Sequence, residues 1–184
     1  MGTMPSELET ERLTIRKYKK SDAEELGMVI AANDEHLRPW MQWMSKDPIS
    51  LEQRVNIIEV WASQWDETSD FEYGIYKEDE LIGGVALRKR IGPGGYEISY
   101  WLTKSSTKQG FMTESVKAIS IAALELDDVD RIEIHHDVTN IPSKSIPTLL
   151  NYEMILDSSP TEKLAPNETG IEYIWRLTNT DHLI

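Results

Sequence analysis

The chain has 184 residues, an apolar share of 40%, no cysteine and a formal net charge of −13. That length supports a single domain over residues 1–184 with a sizeable core, and the missing thiols exclude a disulfide framework, thiolate zinc sites and cysteine nucleophiles. The acidic surplus opposes nucleic-acid binding, which needs clustered Lys and Arg, while it suits both solubility and a cationic substrate such as an amine.

In chain order, the opening MGTMPSELETER carries charges where a signal peptide would be apolar, and no later run approaches the roughly 20 apolar residues of a membrane span. A cytoplasmic protein with no membrane partner is expected. Leu13 and Ile15 alternate with polar neighbours over Glu11–Arg16, the pattern of a half-buried strand. Ser21 with Glu24 and Ser50 with Gln53 each match a capping box. They predict one helix with Ala23, Leu26, Gly27 and Ile30 on its inner face and another with Val55, Ile58, Trp61 and Trp65. Between them lies HLRPWMQWM, His36 to Met44, whose Trp and Met side chains either line a pocket or fill a packed corner.

Phe71–Tyr76 and Leu81–Leu87 read as strands joined by the charged turn Lys77–Glu80, and Gly-Pro-Gly-Gly at 92–95 leads into a third strand, Tyr96–Leu102. A helix from about Met112 to Leu126, with Val116, Ile119, Ala123 and Leu126 on one face, precedes a strand over Arg131–Asp137. Strand, helix and strand at this spacing imply a right-handed parallel crossover. A short helix near Ile141–Leu150 and a strand around Glu172–Leu177 complete an α/β (α+β) pattern, a mixed sheet with helices on its faces.

The junction from Tyr96–Leu102 through Thr107-Lys108-Gln109-Gly110-Phe111-Met112-Thr113 is a strand, a loop and a helix start. Free amides at a helix N-terminus attract anions, and a glycine lets a phosphate approach the backbone, so pyrophosphate is the natural ligand. A purely structural turn is the alternative. Thr107–Met112 resembles the Q/RxxGxG/A loop with which the GNAT superfamily binds the CoA pyrophosphate. Gly110 is kept, with Thr107 in place of Gln or Arg and Met112 in place of Gly or Ala. Glu11-Arg12-Leu13, His36-Leu37-Arg38-Pro39-Trp40, Tyr100-Trp101-Leu102, Thr113-Glu114 and Asn140-Ile141-Pro142-Ser143 resemble, in order, landmarks of the RimJ/RimL branch of protein N-terminal acetyltransferases. The resemblance covers roughly Leu8 to Tyr152, while Pro160–Gly170 matches poorly. Asn151-Tyr152 stands where that family has Gly-Phe, and Asn tolerates the left-handed backbone.

The resemblance implies a GNAT fold, mostly antiparallel with helices on both faces and a strand splayed at the CoA cleft. It implies acetyl-CoA as cosubstrate and direct attack by a primary amine, on a protein N-terminus or a small molecule, in a ternary complex. It places Tyr100, Trp101 and Leu102 beside pantetheine, with an amide near Leu102 as oxyanion donor. Lys108, Gln109, Gly110, Phe111, Met112 and Thr113 surround the pyrophosphate. The Asn140 side chain binds the pantetheine arm, a role compatible with capping the helix before Pro142. Glu97, matching the family's Glu-Ile-Gly-Tyr-Trp strand, is implied as general base and Ser143 as proton donor to the departing thiolate. Otherwise the two are a solvent-facing strand carboxylate and a first-turn hydroxyl.

Trp40, Trp43 and Trp61 are the candidate walls of the acceptor pocket. His135 and His136, adjacent on a strand, face opposite ways and cannot chelate one metal together, so no metal site is expected. Each is either structural or, on the cleft side, an alternative base. At pH 7 an α-amine with pKa near 8 is about a tenth neutral, against about four parts in ten thousand for lysine, which favours weakly basic amines. A non-catalytic CoA- or metabolite-binding module of the same fold and an acidic interaction domain stand as alternatives. The oligomeric state is open, a homodimer included.

Overall fold

Two N-terminal expectations change once the chain is folded in the computed structural model, which describes residues 2–155, 162–181 and 183. Pro160 and Thr161, at the head of the poorly matching segment, lie outside the described residues. The strand expected over Glu11–Arg16 is the second arm of a hairpin, β1 (Glu7–Glu9) with β2 (Thr14–Lys17), because Arg12 is drawn away from the sheet onto a distant carboxylate. The Ser21–Glu24 capping box does not form: a 3-10 turn, Lys20–Asp22, precedes α1 (Ala23–Ala32). Asp22 accepts the Lys19 N–H at 2.7 Å and an Arg16 guanidinium N–H at 2.7 Å, and a charge-assisted carboxylate outcompetes a neutral hydroxyl for this turn.

A one-turn helix, α2 (Asp34–Leu37), follows, and then α3 (Leu51–Asp66), where the second box is present. The Ser50 N–H donates to Gln53 Oε1 at 2.8 Å, and the Gln53 N–H to Ser50 Oγ at 3.1 Å. The meander is β3 (Asp70–Lys77), β4 (Glu80–Arg88) and β5 (Gly95–Leu102). After it come α4 (Phe111–Leu124), β6 (Arg131–Asp137), α5 (Ile141–Leu149), β7 (Glu153–Ile155) and β8 (Glu172–Leu177). Three-residue β1 and β7 are too short for alternation to announce them.

The eight strands form one sheet in the order β1-β2-β3-β4-β5-β6-β8-β7, and every neighbouring pair is antiparallel except β5 with β6. One face carries Ile15, Tyr73, Val85, Ile98, Ile132 and Ile134 and is covered by α4 through Val116, Ile119 and Ala123. The other packs Tyr18, Tyr76 and Leu81 against Leu26 and Ile30 of α1 and Ile58 of α3. Just past α5, Asn151 has a φ of +52°, the left-handed conformation expected there, and Tyr152 then buries its hydroxyl against Ser120 Oγ at 2.7 Å. Among the described residues no helix is long and apolar enough to cross a membrane.

Candidate active site

The sheet opens between its two parallel strands. β5 and β6 pair from Gly95↔Arg131 to Ile98↔Ile134 and no further, so Ser99–Leu102 has no strand partner on that side among the described residues. On the other side the Thr103 N–H donates to the Ile82 carbonyl at 2.8 Å. Antiparallel alternation then directs the N–H and C=O of Tyr100 and Leu102 away from β4 and into the gap. Apart from the Leu102 carbonyl, which a histidine ring faces, these groups are unpaired among the described residues, an edge inside a sheet that suits a polar, extended ligand arm. α5 starts across from them: the Tyr100 hydroxyl donates to the Ser143 carbonyl at 3.0 Å, and the Asn140 side chain caps the helix by accepting the Ser143 N–H at 3.3 Å. The Ser143 hydroxyl faces the Tyr100 phenol.

Beyond Leu102 the chain turns through Lys104–Ser106 into a loop with left-handed residues at Lys108 (φ +60°) and Gly110 (φ +82°). Gly110 is the N-cap of α4. From Lys108 to Thr113 the backbone N–H groups meet no acceptor among the described residues, so several amides surround the positive end of a 14-residue helix. This arrangement fits a pyrophosphate, and neither Thr107 nor Met112 obstructs it. The Thr107 hydroxyl turns back to the Lys104 carbonyl at 2.8 Å and Met112 is buried in the core. Arg12 secures the loop from outside, donating to the Gln109 carbonyl at 2.9 Å and to Glu114 at 2.7 Å.

On the α1–α3 face the ladder gathers charge. Glu97 is buried and held on both oxygens by Arg90, with His135 Nδ1 at 3.7 Å from it. Its parallel partner Glu133 accepts from Arg176 at 2.9 Å and contacts His135 at 2.8 Å; burial would raise its pKa, but these partners hold it below the usual range. Burial pushes Glu72 up to about 7 against the attraction of Arg88. Glu172 is half-buried on the same face, opposite Asp137, and has no hydrogen-bond or ion-pair partner among the described residues; burial raises its pKa.

The three tryptophans expected to wall one pocket are spread along this face. Trp61 meets Tyr18 at a tilt with ring centres 5.3 Å apart and lines an open groove, Trp43 meets Trp101 edge-on at 6.2 Å, and Trp40 is half-buried. Trp101 turns its ring to this face, and its backbone N–H and C=O point to β4 rather than into the gap. His136 is structural, with its Nε2 accepting from the Trp175 indole at 3.0 Å. Sequence reasoning assigned no task to Arg12, His36, Arg90 or Glu172. The first two lay inside recognised landmarks, and the others carried no local signal.

A sheet parted at its parallel pair, with an amide-lined helix start below the gap, defines the class as acyl-CoA-dependent transferases built on the GNAT fold. The family follows from comparison: residues 12–151 match the acetyltransferase (GNAT) domain, and the chain belongs to that family. It is an acetyl-CoA-dependent N-acetyltransferase. Among its relatives are the putative ribosomal N-acetyltransferase YdaF of Bacillus subtilis (27% identical over 145 residues, 77% of this chain and 78% of that one) and the ribosomal-protein-serine acetyltransferase of Escherichia coli (27% over 131 residues, 63% and 73%). A RimL ribosomal L7/L12 α-N-protein acetyltransferase in complex with CoA superposes with a TM-score of 0.84 at 18% identity, covering 96% of this chain and 98% of that one. The microcin C7 self-immunity acetyltransferase MccE, in complex with acetyl-CoA and AMP, gives 0.84 at 18% identity over 95% and 97%.

Proposed function

We propose that the enzyme acetylates the α-amine of a protein N-terminus. The observation that carries this reading is the form of the acceptor side. An open groove of about 350 Å³ runs along α3 between Asn56, Ile57, Val60, Trp61 and Gln64 and reaches Arg88, whose ladder partner on β5 is Glu97. An open trough admits an extended chain end, whereas a small amine calls for an enclosed pocket. The larger neutral fraction of an α-amine and the acidic field of the chain favour the same acceptor. The relatives' names support a ribosomal protein, and with it a cytoplasmic location, for this chain too.

In this reading the CoA pyrophosphate rests on the amides of Lys108–Thr113, the pantetheine runs along Tyr100–Leu102 past Asn140, and the thioester lies beside Leu102. An N–H directed there stabilises the oxyanion, a contribution worth about 3 kcal/mol in acyl transfer. Glu97 takes a proton from the incoming ammonium as its Arg90 pair opens, and the Ser143 hydroxyl donates to the departing sulfur. The test is a set of peptides beginning with Ser or Ala and containing one internal lysine, incubated with acetyl-CoA and mapped by tandem mass spectrometry. Acetylation of the α-amine is expected. Label found only on lysine, or only on small amines supplied in parallel, overturns the acceptor assignment.

A further inference from the structure

The mouth of the gap holds a side chain unused by the roles above. His36 sits on α2 with its ring within hydrogen-bonding reach of the Leu102 carbonyl. That carbonyl belongs to the peptide whose N–H, on Thr103, donates to Ile82 on β4. The two ends of a trans peptide point opposite ways, so the Leu102 carbonyl points into the gap and brings His36 with it. The placement is braced. Leu37 is buried, Arg38 grips Asp34 and donates to the Met44 carbonyl at 2.7 Å, and the Asn33 side chain accepts the Lys104 N–H at 2.8 Å.

A neutral imidazole with one N–H turned toward a carbonyl keeps a lone pair on its other nitrogen. Burial lowers the pKa of His36 and favours the neutral ring, with the Leu102 carbonyl pulling the other way. Lys104, on the turn after β5, is the charged group that acts on it and also favours neutrality. Glu97 lies five residues earlier on β5 with both oxygens on Arg90, so it is poorly placed to serve the Leu102 end of the gap.

We propose that His36 is a further catalytic residue of the transfer, taking the second proton from the acceptor nitrogen; this rests on the thioester lying beside Leu102. The ammonium first loses a proton to Glu97. The neutral amine then attacks, the C–N bond forms and the carbonyl π pair moves to oxygen. His36 removes a proton from the now cationic nitrogen, the oxygen pair returns, and the C–S bond breaks with its electrons on sulfur. Sulfur takes a proton from Ser143, which regains one from solvent, while the imidazolium and the protonated Glu97 each lose one to solvent.

With acetyl-CoA and a peptide bearing an N-terminal serine, His36→Gln is expected to lower kcat about 100-fold with acetyl-CoA KM within about twofold. It should also reshape the acidic limb of the pH–rate profile, and added imidazole should restore part of the rate of His36→Ala. Independently of turnover, the His36 ring resonance, one of four histidines in the chain, should shift when CoA is titrated into the wild-type protein. A His36→Gln enzyme with wild-type kcat and pH profile, or a ring signal unmoved at saturating CoA, overturns the proposal alone. A wild-type enzyme that turns over no amine overturns the acetyl-transfer reading and this proposal with it.

Discussion

Arg12 and Glu114, 102 residues apart in sequence, meet at 2.6 Å and tie the hairpin turn after β1 to the first turn of α4. Thr10 Oγ1 and the Arg12 N–H also donate to Glu114, at 2.6 and 2.9 Å, and the Arg12 guanidinium lies 4.6 Å from the centre of the Phe111 ring. Because Arg12 also holds the Gln109 carbonyl, the pair fixes the loop proposed to offer amides to the cofactor. Arg12→Ala is therefore expected to raise the acetyl-CoA KM about tenfold, a change of about 1.4 kcal/mol, with kcat nearly unchanged. Steady-state kinetics at saturating acceptor checks this, and an unchanged KM would show that the loop holds its shape unaided.

Gly110 provides a sharper perturbation of the same loop. At φ +82° an alanine costs about 1–2 kcal/mol, and its Cβ would meet Arg12 Nη2 at 3.2 Å. For a chain of this size that is a Tm lowered by roughly 2–8 °C. The stabilisation given by millimolar acetyl-CoA should fall as well, since the amides lose their arrangement. Differential scanning fluorimetry with and without acetyl-CoA reads both effects.

Most of this frame was legible because alternation and helical spacing are local. β6 and β8 fall on the expected residues, and the Ser50–Gln53 box forms as its sequence dictates. What stayed hidden depends on contacts between distant segments. Nothing in Glu11-Arg12-Leu13 announces that Arg12 belongs to the loop before α4, and nothing in Glu97 announces Arg90 across a turn of three glycines and a proline. The tryptophans were legible as a group but not as a shape, because apolar side chains carry no address beyond the need for burial. The ordered landmarks succeeded where a single loop pattern was thin, since their order along the chain is harder to match by chance than one glycine.

Glu97→Gln is expected to lower kcat at neutral pH by about 10²-fold while leaving acetyl-CoA affinity close to wild type. Ser143→Ala, which removes a hydroxyl whose protein neighbour is the Tyr100 phenol, should slow turnover by a smaller factor with little change in Tm. Isothermal titration with CoA beside rate measurements separates binding from chemistry, and wild-type rates in either variant would remove that residue from the scheme.

Stability should depend on pH in two opposed ways. Asp22, Glu114 and Glu133 have folded pKa values below the usual 3.8 or 4.5, so their contribution is present above those values and is lost as pH falls through the lowered ones. Glu72 acts in the opposite direction. Raised from 4.5 to about 7, it binds more proton folded than unfolded across that window, so it reduces stability as pH rises from 4.5 to 7. Glu72→Gln should therefore gain Tm relative to wild type steadily over that window, whatever its constant offset. Parallel curves would show that Glu72 ionises in the folded protein as it does in the unfolded chain.

The central claim is that the gap between β5 and β6 transfers acetyl from CoA to an amine. The most direct measurement is release of free CoA thiol from acetyl-CoA in the presence of a panel of N-terminal peptides and small amines, with acetylated product quantified alongside. Thiol release in step with product, fastest for an α-amine, is the expected result. Acetyl-CoA that raises Tm yet yields no thiol with any acceptor would contradict it, leaving a protein that binds the cofactor without turning it over.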